Sequence, residues 1–222
     1  MNGAESSTPR LTIDIHFDLI CPWCFIGKRQ LTAARNLLAE RQPGIVVASE
    51  WHPRQLVPGL PEQGVPFAEF YERRLGSPEA VRQRQQQVVS AARHAGVDLD
   101  LARIQRMPNT ARAHRLLRRV AALRQPALYE ALLDRLFVAY FQRGEDIGDA
   151  PTLWMLAAEV GVPAVLGDDT TPADASRSPP APAGVPHFVF NGRLSVSGAQ
   201  EPVILFAAMY RAVQSAVTPE SA

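Results

Sequence analysis

Cys21 and Cys24 constrain this chain more than any other feature, because they are its only cysteines and just two residues separate them. They follow directly on residues 11–20, LTIDIHFDLI, where Leu11, Ile13, Ile15 and Phe17 alternate with Thr12, Asp14, His16 and Asp18. Strict alternation marks a half-buried strand. After the pair, Gly27, Leu31, Ala34 and Leu38 share one face at helical spacing, and Pro43-Gly44 ends the run. Residues 45–51, IVVASEW, read as a second strand. The first fifty residues therefore spell β-α-β, a unit that favours a parallel strand pair, with C-P-W-C at the strand–helix junction.

That placement gives the two sulfurs different chemistry. With Cys21 as the helix cap and Pro22 as the first helical residue, the missing proline N–H costs nothing. The Cys21 thiol then faces unpaired backbone N–H groups and the positive end of the helix dipole. Both favour thiolate and predict a pKa below the free value of about 8.5. Cys24 lies one turn on, within the Cα separation of roughly 4.4–6.8 Å that a disulfide tolerates, and is expected to be the more buried. Position thus predicts a nucleophile at Cys21 and a resolving thiol at Cys24. Inert core cysteines, or half a zinc site, are the alternatives. Zinc would need two more ligands, and His16, His52, His94, His114 and His187 show no tightly spaced pair, so no metal is expected.

Composition closes other routes. A formal charge of +1 over 222 residues lacks the basic excess of a nucleic-acid protein. A hydrophobic fraction of 46% suffices for a core. Two cysteines cannot staple a secreted scaffold. The N-terminal residues are small and polar, with no apolar run like that of a secretory signal and no membrane-spanning stretch downstream, so a cytoplasmic protein is expected.

The rest of the chain reads as helices followed by β-β-α. Residues 53–64 are a Pro- and Gly-rich connection. Helices are predicted over 65–75, 78–94, 109–123 with Asn109 as cap, a stripe from Tyr129 to Tyr140, and 152–160. Residues 168–184 form a Pro-rich loop without periodicity. Residues 186–190 and 193–197 are strands around the hairpin signal Asn191-Gly192. A final helix over 201–217 is predicted to bury Val203, Phe206, Ala207, Tyr210, Val213 and Val217.

The runs FDLICPWCFIGKRQL, NTARAHRLL, LFVAYFQRGEDIGD and GVPHFVFNGRLSVSGAQ, in this order, resemble the DsbA-like thioredoxin superfamily in its FrnE-like branch. Relatives include 2-hydroxychromene-2-carboxylate isomerases and kappa-class glutathione transferases. The resemblance covers about residues 11–217 apart from 168–184. It implies an α/β thioredoxin fold whose halves, 10–54 and 150–217, build one mixed sheet around an all-helical insertion at 62–148.

By position, the resemblance makes Cys21 the attacking and Cys24 the resolving cysteine. Pro22 and Trp23 become the dipeptide that tunes them, and Val185 with a cis Pro186 becomes the substrate platform. It also places Asn109 near a bound thiol. His114 and His187 are weaker candidates for the site. Trp51 could join Trp23 in an aromatic wall or belong to the core, and Glu50 could be a buried proton acceptor for Cys24 or an exposed carboxylate. Lys28, the only lysine, is expected on the solvated surface. The implied activity is protein-disulfide oxidoreductase or isomerase chemistry on thiol- or disulfide-bearing proteins or small molecules. No cofactor is expected beyond glutathione as a thiol partner, nor any nucleic acid or membrane, and the relatives suggest a homodimer. The rivals are a glutathione-dependent isomerase or transferase and a non-enzymatic binding module. Where relatives carry a short helix before G-V-P, this chain has SRSPPAPAG, which cannot continue a helix.

Overall fold

The computed structural model describes residues 9–164 and 183–217. The alternating segment forms strand β1 (Arg10–Phe17). It stops before Asp18, whose carbonyl accepts the Cys21 N–H at 3.2 Å and turns the chain. Helix α1 (Pro22–Arg41) follows, with Cys21 in extended conformation as its cap and Pro22 in its first turn. The helix ends at Gln42, whose N–H returns to the Leu38 carbonyl. Strand β2 (Val46–Pro53) lies parallel to β1, placing Asp14 opposite Glu50 and His16 opposite His52.

A block of helices comes next: α2 (Phe67–Leu75), α3 (Pro78–His94), α4 (Ala111–Ala122), α5 (Pro126–Val138) and α6 (Ala150–Glu159). Residues 65–66, expected at the start of α2, are instead a short strand β3 (Val65–Pro66) paired with β4 (Arg106–Met107). The chain returns as β5 (His187–Phe190) and β6 (Leu194–Ser197), joined by a turn in which Asn191 and Gly192 both have positive φ. The sheet order is β2-β1-β5-β6, with β5 antiparallel to both neighbours. This is a thioredoxin fold carrying a helical insertion. The Pro-rich loop expected at 168–184 falls almost entirely outside the described residues.

Two cores result. On one sheet face, Leu11, Ile13 and Ile15 meet Leu31, Ala34 and Leu38 of α1 and the last helix, α7 (Pro202–Val217). The buried face of α7 is Leu205, Ala208, Met209, Ala212 and Val213. The predicted face was misplaced. Val203, Ala207 and Tyr210 are exposed and Phe206 only half-buried, with Val213 the one expected residue whose side chain is described as buried. Nearly every α7 side chain is apolar, so periodicity cannot fix the rotation of the helix. The second core joins the end of β1 and the start of α1 to the helical block, where Phe25, Phe137 and Phe141 stack on one another. No described helix is long and apolar enough to cross a membrane.

Candidate active site

The site forms where β1 hands over to α1. Cys21 is 5% exposed and Cys24 1%, both as free thiols, so the predicted order of burial holds. The Cys21 side chain caps no N–H of its own helix. Its thiol instead points at the Val185 carbonyl, with Sγ 3.7 Å from the oxygen. The Val185–Pro186 peptide is cis, and Pro186 packs on α1 so closely that a Cβ at Gly27 would lie 3.0 Å from its Cγ. Absence of a side chain at Gly27 therefore lets the proline strand reach the cysteines.

Cys24 lies beneath. Burial first, then its hydrogen bond to Cys21 and the charge of that group, push its pKa well above the usual thiol value. The Asp18 backbone N–H bonds its sulfur and opposes this, while the Asp18 carboxylate adds to it. Asp18 is fully buried. Its Oδ1 accepts from the Leu19 N–H at 2.8 Å and lies 2.8 Å from His114 Nε2, and its Oδ2 accepts from the Leu56 N–H at 2.7 Å. The alternation of β1 made Asp18 look like one more outward polar residue. Its only sequence signal was its position three residues before Cys21.

The other predicted residues divide. Trp23 lines a cavity of about 500 Å³ that opens beside Cys21, with Pro22 also in its wall. Trp51 is not in that wall. Its ring packs edge-on to Phe17 at 5.3 Å, and its Nε1–H donates to Glu130 at 2.9 Å. Asn109 is outside the wall too. Its Oδ1 accepts from Ala111 N–H and from Gln55, and its Nδ2 donates to the Leu60 carbonyl, tying the segment after β2 to the start of α4. His187 is 2.8 Å from Ser197 Oγ through Nδ1. Glu50 is exposed on β2, so the buried carboxylate near Cys24 is Asp18 instead. Lys28 is not on the surface: it is 5% exposed, with Nζ 2.8 Å from Glu130 and 3.0 Å from Asp134. Asp14, Glu50 and His52 bring ligand-type atoms within 4.8 Å of one another on the polar sheet face, and neither cysteine belongs to that group.

A dithiol at a helix N-terminus facing a cis-proline strand, on a thioredoxin sheet interrupted by helices, defines the class of DsbA-type thioredoxin proteins. The family description "DSBA-like thioredoxin domain" matches residues 12–175, and the chain belongs to this family. A probable DsbA oxidoreductase of Streptomyces coelicolor is 26% identical, with a TM-score of 0.78 over 96% of this chain and 93% of that one. A 2-hydroxychromene-2-carboxylate isomerase shares the fold at 13% identity, with a TM-score of 0.57 over 93% of this chain and 98% of the other. The curated protein YwbO of Bacillus subtilis (strain 168) is 27% identical over 150 residues, 68% of this chain. That match spans 66% of YwbO, just under two thirds of its length.

Proposed function

We propose that this DsbA-like protein is a thiol–disulfide oxidoreductase whose reacting groups are Cys21 and Cys24. The observation that carries the reading is the division between the two sulfurs. Cys21 sits at the α1 N-terminus with its thiol on the Val185 carbonyl, and Cys24 is held beneath it in its protonated form. In the reductive direction the Cys21 thiolate attacks one sulfur of a substrate disulfide. That S–S bond breaks, the first substrate thiolate leaves, and a mixed disulfide forms. Cys24 then loses its proton and attacks Cys21 Sγ, releasing the second substrate thiol and closing the Cys21–Cys24 disulfide. Two electrons pass to the substrate, and two molecules of a thiol such as glutathione restore the dithiol and leave as their own disulfide. Oxidation of substrate runs the same steps backwards.

Each surrounding group has a task in this scheme. Val185 and Pro186 offer backbone to the substrate, and Pro22 and Trp23 shape the approach to Cys21. Asp18 takes the proton of Cys24, with His114 holding the Asp18 carboxylate in place. In a cytoplasm that keeps thiols reduced, the protein would act mainly on disulfides formed there.

The test combines alkylation of Cys21 against pH with turnover of a disulfide substrate. Cys21→Ser is expected to lose at least 100-fold in rate. Cys24→Ser should trap the mixed disulfide, and Asp18→Asn should slow its resolution while leaving the first attack in place. A wild-type protein no faster than Cys21→Ser overturns the reading.

A further inference from the structure

We propose that the cavity beside Cys21 receives one half of a low-molecular-weight disulfide, an apolar group of aromatic size bearing a carboxylate that Arg74 and Arg84 bind. The proposal rests on the thiol–disulfide reading and names its substrate class.

The cavity supports it by size, lining and charge. At about 500 Å³ it falls in the range of small-molecule sites and has room for a substituted ring. Phe67, Phe70, Leu75, Val88, Met107 and Phe141 make its walls apolar. A polypeptide laid along the Val185 backbone would need an edge to pair with, not a chamber running under α2 and α3. The charge is one-sided. Among the described residues of the lining, Arg74 and Arg84 are the only charged ones, and no described carboxylate faces them there. Both are exposed, and among the described residues neither forms an ion pair. The Arg84 guanidinium instead lies over the Trp23 ring, 5.7 Å from its centroid, and reaches Gln87 at 3.4 Å.

Tyr71 lies in the same wall. Burial above all, then Cys21, pushes its pKa up to about 12, so it stays a neutral donor. Nucleophile, hydrogen-bond donor and two cations thus surround one apolar chamber. A guanidinium matches a carboxylate in planar, charge-assisted geometry. Bound this way, the scissile disulfide lies at Cys21, the ring fills the chamber and the carboxylate meets the arginines at its mouth. The other half of the substrate stays outside beside Val185. Attack by Cys21 can expel either half, and Cys24 releases the remaining one, so the balance of the reaction is unchanged.

The experiment follows consumption of the reduced protein by three disulfides. These are 5,5′-dithiobis(2-nitrobenzoate), aromatic and anionic; 4,4′-dithiodipyridine, aromatic without a carboxylate; and bis(2-hydroxyethyl) disulfide, small and neutral. Each rate is divided by that of the same probe with glutathione, which removes intrinsic reactivity. The expected normalised rate for the nitrobenzoate probe is at least tenfold above either other. Arg74→Gln with Arg84→Gln should abolish that advantage and leave the dithiodipyridine rate within threefold. Val88→Trp, which fills the chamber, should slow both aromatic probes. Equal normalised rates for all three probes, or equal losses on all three in the arginine variant, overturn the proposal. So does a preference for a protein substrate with scrambled disulfides that Val88→Trp leaves intact, which would assign the site to polypeptides. Failure of the underlying reading looks different: wild type and Cys21→Ser would then react alike with every probe.

Discussion

Asp18 and His16 stand two residues apart at the end of β1, and their surroundings treat them in opposite ways. Both oxygens of Asp18 have partners. His16 is 3% exposed, and its buried Nδ1 has no hydrogen-bond partner among the described residues. Burial first, then the nearby His52 and His187, lowers its pKa from 6.5 to about 4, against a smaller opposing pull from Asp14. The sign of the pH effect follows. Between about pH 4 and 6.5 the unfolded chain binds a proton at this position that the folded chain refuses, so stability rises with pH across that window. Acidification from 6.5 to 4 should remove on the order of 1–3 kcal/mol. His16→Phe should flatten this part of the profile, read as urea midpoints at pH 7 and pH 4.5. Equal acid losses in both proteins would show that His16 is not the responsive group.

At the scale of elements, α1 does two jobs that compete. It packs Leu31, Ala34 and Leu38 on the sheet and lets the Pro186 strand come close at its first turns. Gly27 is where these meet. A mid-helix Gly→Ala change ordinarily gains about 0.5–1 kcal/mol from backbone entropy. Here the new methyl would lie 3.0 Å from Pro186 Cγ and 3.2 Å from Phe188 Cζ, both in buried rings. Overpacking of that kind typically costs about 1–3 kcal/mol, so Gly27→Ala should lower the urea midpoint and move Val185 away from Cys21. A stabilised Gly27→Ala would refute the contact argument. This also shows which elements were legible. β1, α1, β2 and the Asn191-Gly192 hairpin declare themselves because period, cap and turn residues agree along one stretch of chain. The tight approach of Gly27 to Pro186 joins residues about 160 apart in sequence, and only the family resemblance pointed to the proline at all. The rotation of α7 failed for a simpler reason, since both of its faces are apolar.

For the whole molecule, the central question is how a helical block stays registered on a sheet it interrupts, because the cavity draws its walls from that block and from the junction where β1 passes into α1. Lys28 answers part of it. From α1 it reaches Glu130 and Asp134 on α5, while Trp51 of β2 donates to Glu130 as well. In a bare β-α-β unit this lysine would face water, which is why the sequence alone suggested a surface residue. The insertion covers it, and no local pattern records what covers a side chain. The cavity was hidden for the same reason, being assembled from α2, α3, the cysteine junction and residues near Tyr140. The Lys28 ammonium is desolvated, whereas its two carboxylates are about a third exposed (32% and 34%). Removing the cation alone therefore leaves two neighbouring acids under-compensated, Glu130 with only the Trp51 N–H and Asp134 with only Arg29 at 3.5 Å, though water still screens them. Lys28→Met should cost about 1–3 kcal/mol, less than a fully buried pair would. Adding Glu130→Gln and Asp134→Asn to Lys28→Met should recover most of that loss, because the stranded charges are then gone. The same series should track the cavity: Lys28→Met is expected to lower reactivity with the anionic aromatic disulfide, and the triple variant to restore it in step with the urea midpoint. If the triple variant were as unstable as Lys28→Met, packing of the lysine stem would be holding the two halves together, not its charge.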